Sequence, residues 1–509
     1  MNRKKITSGL LLLLLSAIVN AQDSIPSFVK DSLDVYTSRA LKEWQVPGIA
    51  VCIVKDGKVI MMKGYGVKEI NGTDKVDENT LFMIGSNTKA FTATALALLD
   101  AEKKLSLDDK VTKWISSFAL DNKAAGEQAI IRDLLCHRIG FQTFQGDFTY
   151  WTSNLTRADV IEKMSHIKAT YPFRTTWGYT NAAFLTAGQI IPVVTGKPWE
   201  VYLKENIFAP LGMINTLALT ADIGKSYDRT VPHTLIDGRL SAIPYAQIDG
   251  LAPAGAICSS VNDMSKWVLA LLNDGKVGQR QVIPLAAIKA TREPQDIVGS
   301  VHHLNGENNF ELYGLGWFIQ DYANHRLVMH DGGVSGYLSS VTLVPQEHLG
   351  IIILTNTDQN DFFDALRWEI MDAYFKLPYH NYSDISLANF KTNETIDNAA
   401  DKRRRDSVAL NPLPALPLAN YTGKYVNELY GKLEITQGET NDLEVRFEHH
   451  PRMFAHLQPL GGNRFYVTFS DPVLGKAVFP FIVQNGSVKG VRVKVADFVE
   501  HDPYDFKKE

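Results

Sequence analysis

The sequence predicts an α+β protein of the broad α/β class: an antiparallel sheet flanked by helices with an all-helical insertion, then a small C-terminal all-β sandwich or barrel. Three observations predict it. Strand-like runs stand near both ends of the first domain, a long helix-rich stretch separates them, and after Tyr379 the pattern changes to short alternating segments.

Residues 1–21 come first in chain order. A basic start (Arg3, Lys4, Lys5) precedes an apolar run centred on Leu10 to Leu15, with Val19 and Ala21 at the −3 and −1 positions of a cleavage site before Gln22. This pattern reads as a secretory signal peptide, because the apolar run is too short to span a bilayer. The protein is therefore expected to be periplasmic or secreted. No cysteine follows the cleavage site and no later apolar run is long enough to cross a membrane, so neither a lipid nor a transmembrane anchor is expected.

Residues 22–378 form the expected first domain. GIAVCIVKDGKVIMMKGYGV (48–67) reads as a hairpin with Asp56-Gly57 as its turn. Strand-like segments return at YGLGWFIQD (313–321), SSVTLVP (339–345) and GIIILTN (350–356), and an amphipathic helix follows from about Phe362 to Phe375. A sheet made from the two ends of the domain fits that order. Residues 379–416 read as a linker, because a charged run is followed by Pro412 and Pro414. Residues 417–509 carry KLEITQG, DLEVRFE, RFYVTFS, KAVFPFIVQNG and VKGVRVKV, the alternating strands of a small all-β domain. With a separate core, the first domain is expected to fold without it.

A net charge of −4 with no basic stripe argues against nucleic acid as a partner. Cys52, Cys136 and Cys258 lie in apolar surroundings and are expected as buried thiols. Their spacing matches no metal site.

The segment MIGSNTKAFTATALALLD (83–100) holds one cation, Lys89, in the first turn of a helix whose small and apolar residues should bury it. The helix dipole and desolvation both disfavour a cation there. Ser86 precedes it by three positions, which share a helix face. The same two effects lower the lysine pKa, so a neutral amine becomes available as a base for the hydroxyl. Ser27/Lys30 and Ser165/Lys168 repeat the spacing on solvated faces. Tyr179-Thr180-Asn181 opens another apolar helix, NAAFLTAGQIIPVV. Residues two apart in an extended segment point the same way, so Tyr179 and Asn181 can face one cleft, where a cationic lysine would favour the phenolate. Taken alone, the pair reads better as a packing tyrosine and a helix-capping asparagine. His330-Asp331-Gly332-Gly333 lies on an expected sheet edge, where glycines admit a substrate backbone and a free N–H could serve an oxyanion hole. Alone, this motif is more often a plain hairpin, and His348-Leu349-Gly350 reads as a strand-to-strand turn only.

The order Ser-x-x-Lys, Tyr-x-Asn, His-x-Gly resembles the serine β-lactamase and penicillin-binding-protein superfamily. Within it, the chain resembles the S12 peptidase group of class C β-lactamases, D-Ala-D-Ala carboxypeptidases, D-aminopeptidases and related esterases. The resemblance covers about residues 30–378, including IRDLLCHRIGF (131–141) and LAPAGAICSSVNDMSKWVLALLNDG (251–275). The C-terminal part resembles the lipocalin-like β domain appended to many such hydrolases. The resemblance implies Ser86 as acylated nucleophile, Lys89 as its base, Tyr179 as proton relay to the leaving group, and Asn181 as partner of Lys89 and the substrate amide. His330 takes the place of a lysine in the Lys-Thr/Ser-Gly motif, Gly332 completes that motif, and the N–H groups of Ser86 and Gly333 form the oxyanion hole. His137, inside one landmark, reads as structural.

The resemblance thus implies an exported serine hydrolase that cleaves an amide or ester through a Ser86 acyl-enzyme, without metal or cofactor. Its substrate would be a small molecule or peptide, peptidoglycan-derived peptides included. Asp331 departs from the family pattern, in which a hydroxyl residue stands there. If its side chain faces the cleft it would repel the carboxylate that β-lactams and D-Ala-D-Ala termini carry. That tilts the reading toward D-amino-acid-containing peptides with a free amine, or neutral esters and amides. A β-lactamase or D-Ala-D-Ala carboxypeptidase, and a weakly catalytic penicillin-binding or sensor protein, are the alternatives.

Overall fold

In the computed structural model, which describes residues 25–302, 308–438 and 442–509, the N-terminal hairpin turns at Asp56 and Gly57. Both residues have positive φ, 51° and 74°, as a tight two-residue turn of this kind requires. They join β1 (Gly48–Lys55) to β2 (Lys58–Gly66). The leader expected over Met1–Ala21 lies outside the described residues.

Six further strands follow the helical middle: β3 (Asp296–His302), β4 (Asn308–Tyr313), β5 (Phe318–Tyr322), β6 (His325–Val334), β7 (Tyr337–Val344) and β8 (Leu349–Thr355). The sheet order is β2-β1-β8-β7-β6-β5-β4-β3. Ile49 of β1 stands opposite Thr355 of β8, so the two ends of the domain meet as expected. Residues 49–54 of β1 are all apolar because both faces are covered: Ala50, Cys52 and Val54 pack toward the helical half, Ile49, Val51 and Ile53 toward the other side.

The covering helices are α1 (Leu33–Glu43) and α5 (Phe362–Phe375) on one face. On the other lie α2 (Thr88–Ala101), α3 (Asn181–Gly188) and α4 (Val261–Leu272). Two expectations need correction. The run 313–321 is not one strand: Gly316, at φ 75°, breaks it between β4 and β5, and an added Cβ there would lie 2.8 Å from the Lys89 carbonyl. The stretch 379–416, expected as a linker, is mostly a helix, α6 (Tyr382–Ala409). Its ion pairs Lys402–Asp406 and Asp401–Arg405, one turn apart, support a solvated helix that has little apolar face to announce it. No helix among the described residues is long and apolar enough to cross a membrane.

Beyond α6 the chain closes into an eight-stranded barrel between residues 423 and 508. Three of its strands, Gly423–Asn427, Phe454–Pro459 and Tyr504–Lys508, were not among the five read from the sequence. The barrel packs directly on the helical half. Phe148 stacks on His450 with ring centroids 4.5 Å apart, and the His450 Nε2 contacts the Trp151 carbonyl at 3.1 Å.

Candidate active site

A short 3₁₀ turn, Gly85–Asn87, leads into α2 and carries Ser86. Two glycines allow this turn to touch β6. Gly85 has φ 51°, and a Cβ on it would lie 2.9 Å from Gly333 N; a Cβ on Gly332 would lie 2.0 Å from the Ile84 carbonyl oxygen. Any side chain at either place would push the turn off the strand. Ser339 fastens the contact from β7, accepting from Asn87 Nδ2 at 2.8 Å and donating to the Ile84 carbonyl at 2.8 Å.

Lys89 is fully buried in the first turn of α2, as expected. Its Nζ contacts Ser86 Oγ at 3.0 Å, Asn181 Oδ1 at 2.7 Å and the Ala254 carbonyl at 2.8 Å. Desolvation pushes its pKa down to about 7, although Asp147 pulls it the other way. The two amide oxygens can only accept, so they use both N–H bonds of a neutral amine and leave its lone pair toward the Ser86 hydroxyl. Asn181 is oriented by Asp147, whose Oδ2 accepts from Asn181 Nδ2 at 2.6 Å. Burial pushes the Asp147 carboxyl up to about 7 against the pull of Asn181 and Lys89.

Tyr179 lies within reach of both, but not as a phenolate. Lys89 Nζ sits 4.6 Å from the centre of its ring, and burial raises the phenol well above its ordinary value despite a hydrogen bond with Ser86. Desolvation therefore decides the balance, and Tyr179 stays a hydroxyl. His137 packs its ring 4.4 Å from that of Tyr179, and its Nδ1 accepts from Thr180 N–H at 3.0 Å. These contacts hold the tyrosine, and the buried His137 Nε2 has no hydrogen-bond partner among the described residues.

His330 is a neutral group rather than a titrating cation. Burial, then the charge on Lys89, pushes its pKa down to about 3. Its Nδ1 lies 2.6 Å from the Asp331 carbonyl, so that nitrogen carries the proton and Nε2 accepts from Tyr313 O–H at 3.1 Å. β6 is not an edge strand, because it pairs with β5 and β7. β5 ends opposite Met329, however, so His330 to Val334 are paired on one side only. The edge that the sequence suggested is local to the site.

Asp331 lines the cavity and is paired. Its Oδ1 accepts from Arg367 Nη1 at 2.7 Å, and the same buried guanidinium binds Asp364 and Ser340. Glu311 lines the cavity too. Asp331 and Asp364 thus share one arginine, while Glu311 accepts from Gln320 Nε2 at 2.6 Å. The cavity, about 500 Å³, is otherwise aromatic and aliphatic, with Phe144, Trp151, Trp177, Phe318, Leu251 and Phe498 among its walls.

Residues 33–375 match the Beta-lactamase family, about two thirds of the chain. The chain belongs to that family. This β-lactamase-family protein also matches, over residues 409–508, a domain of unknown function (DUF3471). It is 28% identical to an unguisins hydrolase of Aspergillus violaceofuscus across 81% of this chain and 77% of that one. It is 27% identical to protein flp of Staphylococcus aureus across 64% and 63%. The fold is that of an octameric penicillin-binding protein homologue from Pyrococcus abyssi, with TM-score 0.61, 22% identity and coverage of 94% and 99%. These relatives place the β-lactamase-family protein in the serine β-lactamase and penicillin-binding-protein superfamily, among hydrolases.

Ser86, Lys89, Tyr179, Asn181, His330, Gly332 and Gly333 all line this cavity or its floor. The other two Ser-x-x-Lys pairs do not approach it: Ser27 and Lys30 are exposed, and Ser165 Oγ donates to the Glu162 carbonyl. Sequence reading missed Asp147, Tyr313, Arg367 and the barrel residues Phe498 and Glu500. Only Asp147 carried a local signal, a lone acid after a glycine in an aromatic stretch.

Proposed function

We propose that this protein is an exported serine hydrolase that cleaves an amide or ester through an acyl-enzyme on Ser86. The observation that carries the reading is the buried Lys89 amine, 3.0 Å from Ser86 Oγ and pushed down to a pKa of about 7. Such a group is unprotonated in part at neutral pH and has a lone pair for the serine proton.

Ser86 Oγ passes its proton to Lys89 Nζ as it bonds to the substrate carbonyl carbon. The developing oxyanion meets the backbone N–H groups of Ser86 and Gly333, which the bare Gly85 and Gly332 allow to approach. The carbon–nitrogen or carbon–oxygen bond then breaks, and the leaving group takes a proton from the Lys89–Tyr179 cluster, with the protonated phenol of Tyr179 as donor. Water repeats the attack on the acyl-enzyme, loses a proton to the same cluster and frees Ser86. Asn181 keeps Lys89 aimed, and its amide is placed to meet the substrate amide.

The acidic end of the cavity supports substrates that carry an amine or no charge there, which favours D-amino-acid-containing peptides or esters over β-lactams. A relative named as a hydrolase agrees with bond cleavage. The basic, apolar leader before Gln22 supports export to the periplasm or beyond. Ser86→Ala should abolish turnover and covalent labelling by a fluorophosphonate while the circular dichroism spectrum stays unchanged. Labelling that persisted in Ser86→Ala would refute the assignment.

A further inference from the structure

The barrel reaches the catalytic lysine through an unbroken series of contacts that starts at Glu500. This carboxyl is 1% exposed and sits on the segment between the last two barrel strands. Its Oε1 accepts from Gly146 N–H at 2.7 Å and its Oε2 from Phe148 N–H at 3.1 Å, while Tyr430 O–H donates to Oε1 at 2.5 Å. Both backbone donors belong to the helical half and flank Asp147. Gly146 has φ 87°, a left-handed conformation that glycine adopts readily. From Asp147 the contacts run to Asn181 at 2.6 Å, from Asn181 to Lys89 at 2.7 Å, and from Lys89 to Ser86 at 3.0 Å.

We propose that Glu500 is a positioning residue for catalysis: by gripping the two N–H groups beside Asp147, the barrel sets the direction of Asn181 and hence the aim of Lys89 at Ser86. The proposal rests on the reading of Lys89 as the base. Docking alone does not account for the arrangement. The two halves already meet at exposed polar pairs such as Arg452 with Gln247 and Lys476 with Asp237, which need no buried acid. A buried carboxyl group is costly unless its oxygens are hydrogen-bonded; here three donors converge on them, and burial still pushes its pKa up to about 8. Glu500 itself does not line the cavity, although Phe498 and Val499 beside it do.

That difference separates a role in aim from a role in substrate binding. Glu500→Ala should slow both kcat and the fluorophosphonate labelling of Ser86 on the order of 10²-fold, as expected for a misplaced reacting group. Glu500→Gln keeps one acceptor oxygen and the same shape. It should lose a smaller part of kcat with KM near that of wild type, and Tyr430→Phe should lose less again. Arg452→Ala, which removes a docking contact outside the series, should leave kcat unchanged. Should Glu500→Ala not fold, the Gln and Phe variants carry the test. Wild-type kcat in folded Glu500→Gln would overturn the proposal. So would a raised KM at constant kcat, which would make Glu500 a support for the Phe498 wall, or an equal loss in Arg452→Ala. Failure of the underlying reading looks different: Lys89→Arg would then label Ser86 at nearly the wild-type rate.

Discussion

Lys89 is costly in its place, and its neighbours show how the cost is met. Two carbonyl acceptors and one hydroxyl surround an amine that burial has already brought near neutrality. That much was legible in the sequence, because one cation in a run of small apolar residues needs a reason. The phenolate expected at Tyr179 was wrong in sign, since a nearby charge could be read from the motif whereas burial of the ring could not. Asp331 was legible as a departure, but its partner Arg367 lies 36 positions away on α5. Its pairing makes a prediction about substrates. An ester with an ammonium at the Asp331 end should be cleaved about tenfold faster or more than its carboxylate counterpart, given ~1–4 kcal/mol for a charge contact near 4 Å. Asp331→Asn, which frees part of the Arg367 charge, should narrow or reverse that preference. Paired kcat/KM measurements on the two esters decide it, and faster cleavage of the carboxylate form by the wild type would count against the reading.

Elements with a strong local period were the ones the sequence disclosed. The hairpin at Asp56-Gly57 and the helix Phe362–Phe375 match their expected places because turn chemistry and apolar spacing are short-range signals. Segments whose shape depends on a distant neighbour were misread. Gly316 breaks a strand because the Lys89 backbone passes beneath it, and α6 is held by its own ion pairs and by the ends it bridges. The site follows the same division. Ser86 with Lys89, and Tyr179 with Asn181, are neighbours in sequence and could be recognised in place. Asp147, Tyr313 and Glu500 reach the site only through the topology of the sheet and the docking of the barrel.

At the scale of the whole molecule, the two domains share a core that the sequence presented as two. Phe148, 1% exposed, packs among Phe447, His450 and Tyr504 of the barrel, and fully burying such a ring stabilises by about 1.5–3 kcal/mol. A fragment ending at Leu377 would expose that ring and leave the Gly146 and Phe148 N–H groups without Glu500. It should melt at a lower temperature than the full chain and label more slowly with a fluorophosphonate. Equal melting and equal labelling would show that the barrel is dispensable to the site. The central claim, that a neutral Lys89 activates Ser86, is tested most directly by the rate of Ser86 acylation across pH in wild type and Lys89→Arg. In wild type the rate should rise with pH through a midpoint near 7 and level off above it, as the ammonium gives up its proton. Lys89→Arg keeps the charge but cannot release a proton, so it should be slower by roughly 10²–10⁴-fold at every pH. A Lys89→Arg enzyme that acylates at nearly the wild-type rate would contradict the account, because a fixed positive charge would then suffice.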